Sequence, residues 1–229
     1  LKDNLCDANQ YHLFGVETSS ERRKDVQEQY GIKSFVSLDD AFLENSYFCA
    51  FVCSAPLSHH NIIMKCLNYG AHVFTELNVV ADGYSDMIKL AKEKKLELFL
   101  SSTLNYRKDV QYIQNKVKEQ KKPINYIYHI GQYLPDWHPW ESYKSFFVNE
   151  MRTNGCREIF AVDLPWLVRA FGSVVNISSC KDNMSTLEIN YPDNYFVILK
   201  HKNGNKGVLC VDIISRKPVR KLEVFSEDM

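Results

Sequence analysis

Over the first hundred residues, short apolar runs alternate with segments whose apolar positions recur at helical spacing. Tyr11–Val16 reads as a strand ending at Glu17. Thr18-Ser19-Ser20 then offers a cap for a helix that runs to Tyr30 and stops at Gly31. A short helix over Leu38–Leu43 follows the Ser37 cap, and Tyr47–Cys53 is apolar and of strand length. From His60 to Tyr69 the residues Ile62, Ile63, Cys66 and Leu67 fall on one helical face. His72–Thr75 is a strand, Tyr84–Lys95 a helix and Glu97–Ser101 a further strand. Strand and helix alternate throughout, which predicts a parallel, doubly wound sheet.

The texture changes near Asn105-Tyr106-Arg107. One more helix, Val110–Val117, leads into longer strands: Ile124–Tyr133, Val174–Cys180, Thr186–Tyr191, Tyr195–His201, Gly207–Ile213 and Val219–Phe225. Asp193-Asn194 and Asn203-Gly204 read as hairpin turns, and an apolar helix over Arg157–Phe171 is expected to pack on the sheet. The expectation is an α/β domain over residues 1–104 and an α+β domain over 105–229, the second built on an open, largely antiparallel sheet.

Composition narrows the function. The 229 residues carry a formal net charge of zero, with 45% hydrophobic and 24% charged residues. That balance is ordinary for a globular protein and gives no electrostatic reason to expect nucleic acid or an anionic membrane as partner. No apolar run reaches the roughly 20 residues of a membrane-spanning helix, and the first residues do not read as a signal peptide, so a cytoplasmic location is the default. The seven cysteines, at 6, 49, 53, 66, 156, 180 and 210, show no CxxC spacing and read as buried free thiols. Cys49 and Cys53 lack paired ligands elsewhere, so no metal site is predicted.

The most informative stretch is Ser54-Ala55-Pro56-Leu57-Ser58-His59-His60, followed by Gly70-Ala71-His72-Val73-Phe74-Thr75-Glu76-Leu77-Asn78. It resembles the two turns of the glucose-fructose oxidoreductase and inositol dehydrogenase family (Gfo/Idh/MocA), which commonly read Pro-Asn-x-x-His and Glu-Lys-Pro. Pro56, His60 and Glu76 match; Leu77 and Asn78 stand where the family has Lys-Pro. The resemblance implies a nicotinamide dinucleotide, NAD or NADP, held on a Rossmann-type sheet, and an oxidoreductase acting on a sugar or sugar nucleotide in surface carbohydrate biosynthesis. The alternative is a catalytically degenerate nucleotide- or sugar-binding protein of the same fold, favoured by Leu77 and Val162. The chain also lacks the family's first strand and Gly-rich turn, whose backbone N–H groups receive the pyrophosphate. Leu1–Leu5 reads as the end of the helix after that turn, so truncation at both ends is expected, with weak or no cofactor binding by this chain alone. Family members usually pair through the open sheet, which implies a homo-oligomer.

Within that frame the site residues are assigned one by one. Glu17, at a strand end, is placed to accept hydrogen bonds from the adenosine ribose, which favours NAD. Ser54, Pro56, His60, Glu76 and Asn78 complete the cofactor set, with His60 shaping its turn and His59 exposed. Arg107 is a candidate for a substrate carboxylate or phosphate. The loop Tyr133-Leu134-Pro135-Asp136-Trp137-His138-Pro139-Trp140-Glu141 resembles a segment of relatives in sugar-nucleotide pathways; Trp137 and His138 are its chosen substrate contacts. Where many relatives carry Asp and His on one helix, this chain has Arg157, Glu158, Val162 and Asp163. Arg157 and Asp163 are assigned to substrate, and Glu158 or His138 to the general base.

Overall fold

The computed structural model describes residues 11–227 and divides the chain into two compact units. The reading of Leu1–Leu5, and Cys6 with it, lies outside the described residues.

The first unit comprises residues 11–53, 58–75 and 83–99 of the described chain. Its helices are α1 (Ser20–Tyr30), α2 (Leu38–Glu44), α3 (His59–Asn68) and α4 (Tyr84–Lys94), and its strands β1 (Gly15–Val16), β2 (Ser34–Phe35), β3 (Cys49–Val52), β4 (His72–Thr75) and β5 (Leu98–Leu100). Local chemistry sets the boundaries. The Ser19 hydroxyl accepts from Arg22 N at 3.3 Å, Ser37 does the same for Asp40 N at 3.1 Å, and Gly31 ends α1 at φ 64°. β3 and β4 run parallel, with Cys49 opposite His72 and Val52 opposite Thr75, and the sheet order is β3-β4-β5. Ile63, Cys66 and Leu67 of α3 and Met87 and Ala91 of α4 close over Val52 and Val73. The expected strand over Tyr11–Val16 shrinks to β1, because its parallel partner β2 is only two residues long and was not foreseen. His59 is buried, against expectation, and it is the first residue of α3.

The second unit takes in residues 54–57, 76–82 and 100–227 of the described chain. It contains α5 (Lys108–Glu119), β6 (Asn125–Gly131), α6 (Gly155–Phe171), β7 (Val174–Asp182), β8 (Asn194–His201), β9 (Lys206–Asp212) and β10 (Val219–Phe225). Sheet order is β10-β6-β9-β8-β7; β6 and β9 are parallel and the other pairings antiparallel. The alternation along these strands sends Tyr126, Tyr128, Ile130, Val197, Leu199, Leu209 and Val211 into a core with Trp166, Leu167 and Phe171 of α6. Each such side chain, fully withdrawn from water, contributes roughly 1.5–3 kcal/mol. Tyr126 stacks on Phe171 at 3.9 Å between centroids, and its ring fills the space over Gly207, where any Cβ would lie 1.9 Å from it. The opposite face leaves Ile127, Phe196, Ile198, Val208 and Phe225 exposed.

Two expected features of this unit are absent. Thr186–Tyr191 forms no strand, although Leu187 and Tyr191 are buried. Asp193 and Asn194 make no hairpin turn. The buried Asp193 carboxylate instead accepts from Met184 N at 3.1 Å and Ser185 N at 2.7 Å, pinning an irregular loop beside β8. Asn203-Gly204 does form the β8–β9 turn, with Gly204 at φ 91°. Cys66 and Cys156 are buried thiols as expected, whereas Cys53 and Cys180 are exposed. Among the described residues no helix is long and apolar enough to cross a membrane.

Candidate functional site

A cavity of about 230 Å³ lies within the second unit, lined by Pro56, Leu77, Val79, Phe146 and Phe147 with the polar groups of Glu76, Trp137, His138 and Glu158. Whole drug-sized ligands occupy roughly 300–1,000 Å³, so this space suits one ring of a cofactor or sugar.

Helix α6 positions Glu158. The Asn154 side chain caps the helix by accepting from Arg157 N at 2.9 Å, and Glu158 N donates to Asn154 O at 3.0 Å. Gly155 lets this turn approach its surroundings closely, since a Cβ there would meet Ile213 and Leu134 at 3.2 Å and Trp137 at 3.4 Å. The result is a carboxylate whose Oε2 is buried and has no hydrogen-bond partner. Burial raises its pKa to about 7; the Glu76 charge pushes the same way and His138 opposes. A carboxyl titrating there is matched to proton transfer at neutral pH.

His138 is fixed by three contacts. Its ring stacks on Trp140 at 5.1 Å and on Phe146 at 4.6 Å, nearly parallel to both, and Nδ1 lies 2.9 Å from Glu141 Oε1. A carboxylate only accepts, so Nδ1 carries the proton and Nε2 of the neutral ring is an acceptor. Trp137 donates from Nε1 to Gln132 O at 3.3 Å, which leaves its ring to line the cavity. An imidazole and a near-neutral carboxyl on one cavity can take up and return a proton.

The structure thus brings together Glu158, His138, Trp137, Pro56 and Glu76. Ser54 and Asn78 sit half-buried on the same two segments without lining the cavity. Two assigned residues are committed elsewhere. Arg107 pairs with Asp109, Nε to Oδ1 at 3.0 Å and Nη2 to Oδ2 at 2.6 Å. The buried Asp163 accepts from the Tyr128 hydroxyl at 2.6 Å, Trp166 Nε1 at 3.1 Å and Arg220 Nη2 at 3.1 Å, which makes it an anchor of the core. Arg157 is exposed and is not part of the lining. In the first unit, Glu17 Oε1 accepts from Ser19 N at 2.8 Å, and that bond lowers its pKa, with the Arg22 charge assisting. His60 packs its ring against Gly83, and its Nε2 is buried without a partner. Sequence reasoning missed Val79, Phe146 and Phe147. The Phe146-Phe147 doublet was the available signal, being apolar in a segment with no helical or strand period.

Residues 5–102 match the family model GFO_IDH_MocA, described as an oxidoreductase family with an NAD-binding Rossmann fold. Over 106 residues the chain is 26% identical to 4-carboxy-2-hydroxymuconate-6-semialdehyde dehydrogenase of a Sphingobium species, covering 44% of this chain and 33% of that protein. The WlbA dehydrogenase of Bordetella pertussis, solved with NADH and UDP-GlcNAcA, superposes with a TM-score of 0.79 at 15% identity over 94% of this chain and 69% of its own. UDP-N-acetylglucosamine 3-dehydrogenase GnnA of Acidithiobacillus ferrooxidans superposes at 0.70 and 14% identity, over 94% and 66%. The chain thus spans a third of the curated relative and about two thirds of these solved structures.

Proposed function

We infer that this chain, whose residues 5–102 match the Gfo/Idh/MocA oxidoreductase family model, is part of an NAD(P)-dependent oxidoreductase acting on a sugar or sugar nucleotide in surface carbohydrate biosynthesis. The observation that carries the reading is the Glu158 carboxylate, with one buried oxygen unpartnered, on the same cavity as His138. The residues present suit the cofactor. Pro56, Leu77, Val79 and Phe147 offer apolar surface to a ring, and Glu17 directly follows β1, the position expected of a ribose-binding acid. The nicotinamide, when bound, supplies the hydride acceptor or donor.

Glu158 takes the hydroxyl proton of the substrate, and His138 holds the sugar by Nε2 beside the Trp137 face. A homo-oligomer forms through the open sheet face bearing Ile127, Phe196, Ile198 and Val208. The test is the pH profile of kcat for the full-length protein with NAD and UDP-activated amino sugars. Turnover is expected to rise through pH of about 7 and to vanish in Glu158→Gln; an unchanged rate in that variant overturns the assignment.

Leu77 favours a second reading. It lines the cavity where the family carries lysine, and an aliphatic side chain neither donates a proton nor stabilises an alkoxide. In that case the full-length protein binds dinucleotide or sugar without turnover, as a sensor or a support for a partner enzyme. Nicotinamide absorbance that stays constant with every sugar, while binding is retained, selects it.

A further inference from the structure

Away from the cavity, β6 and β9 place three potential metal ligands on one face of the five-stranded sheet. His129 stands opposite Cys210 in the parallel register, and Asp212 follows two residues along the same strand. A ring nitrogen of His129, the Sγ of Cys210 and a carboxylate oxygen of Asp212 lie within 4.8 Å of one another. We propose that His129, Cys210 and Asp212 form a binding site for a zinc-class divalent transition ion, with three protein donors and an open fourth position.

Four further observations support the assignment. The donor set mixes imidazole, thiolate and carboxylate, which suits a borderline-soft ion and not magnesium or calcium. The Asp212 carboxylate is held in place before any ion arrives: Oδ1 accepts from Ile214 N at 3.0 Å and Ser215 N at 2.8 Å, and Oδ2 from Ser215 Oγ at 3.0 Å. Such outer hydrogen bonds orient a ligand and raise its affinity. Gly131, opposite Asp212, keeps the space clear, for a Cβ there would lie 2.4 Å from Oδ2. In the single chain the His129 side chain is 38% exposed on the open sheet face, so an ion reaches the ring there, while Asp212 stays covered at 6%.

In the ion-free protein His129 Nε2 and Asp212 Oδ2 share a hydrogen bond of 2.8 Å. The ion takes the place of that shared proton. That proton moves to Nδ1, so the ring stays neutral with Nε2 free to bind; Cys210 releases its thiol proton to water, and two anionic ligands balance the two positive charges. No oxidant or reductant enters. The competing account is a histidine–aspartate pair that only staples β6 to β9.

Cobalt(II) titration of the purified protein distinguishes them, since cobalt replaces zinc and reports its ligands optically. The wild type is expected to develop a thiolate-to-cobalt charge-transfer band that one equivalent of zinc abolishes. Cys210→Ser loses the band and His129→Ala binds far more weakly, while Cys53→Ser and Cys180→Ser, which alter exposed thiols, keep it. Ser215→Ala weakens binding by about tenfold, the lower end for loss of an outer-shell partner. Asp212→Asn is uninformative if it unfolds, so the decision rests on Cys210 and His129. No band in the wild type, or a band that survives Cys210→Ser, overturns the proposal.

Discussion

Replacing Glu158 by glutamine separates the electrostatic reading from simple packing. The folded protein holds this carboxyl at about 7 against an ordinary 4.5, chiefly by burial. Because the folded-state value is the higher one, the native protein binds the extra proton between these limits. Stability is therefore greatest below pH of about 4.5, falls as pH rises through the window, and levels off above about 7. A displacement of this size corresponds to on the order of 3 kcal/mol. Glutamine has nearly the same shape and does not ionise. Its own amide cost enters equally at every pH and cancels in a difference. Urea unfolding of both proteins at pH 5 and pH 8 gives that difference. The wild type should lose on the order of 2–3 kcal/mol more than Glu158→Gln across the interval, or roughly 5–10 °C in Tm for a chain of this length. Parallel loss of stability in the two proteins would refute the buried, unpartnered carboxylate and with it the proton-transfer role.

Two other substitutions test the scaffold. Asp163→Ala leaves the Tyr128 hydroxyl and the Trp166 ring nitrogen without an acceptor and Arg220 unpaired; a loss of about 2–4 kcal/mol is expected in urea unfolding. A loss below about 1 kcal/mol, the net value of one ordinary hydrogen bond, would place Asp163 outside the core. Gly83→Ala introduces a Cβ 2.2 Å from the His60 ring at a backbone φ of 65°, so a cost above the roughly 1–2 kcal/mol of left-handed strain is expected. In a double-mutant cycle His60→Ala should recover the excess and leave the strain; additive effects would show that the two residues do not touch.

Periodicity and capping chemistry were strong enough to place most elements from the chain alone. Ser19 and Ser37 begin their helices through their side chains and Gly31 ends one through its φ freedom, and the alternation of Tyr126, Tyr128 and Ile130 marks the core face of β6. What failed was long-range. Leu187 and Tyr191 mimic a strand because both are buried, but side chains hold the backbone there: Asp193 accepts from Met184 N and Ser185 N just before it, Ser185 Oγ from Leu187 N and the Tyr143 hydroxyl from Glu188 N. In the site, the Trp137-His138 loop and Glu158 stood out by composition, and the cavity unites them. Arg107, Arg157 and Asp163 had the right chemistry, yet no local pattern tells whether an ion pair is spent on a neighbour or left for a ligand. The His129–Cys210–Asp212 cluster was invisible for a related reason: its members meet only across paired strands, and His129 and Asp212 are 83 positions apart.

That separation also bears on how the second unit assembles. The β8–β9 hairpin closes a short loop at Asn203-Gly204, whereas the parallel seam between β6 and β9 must bring together segments divided by α6 and two other strands. Closing so large a loop costs entropy before any contact rewards it, and such pairings are slow to form. By that argument the seam, with the still longer-range β10–β6 pairing, belongs to the slow pairings of this sheet, and until it forms that edge of the hairpin has no partner strand.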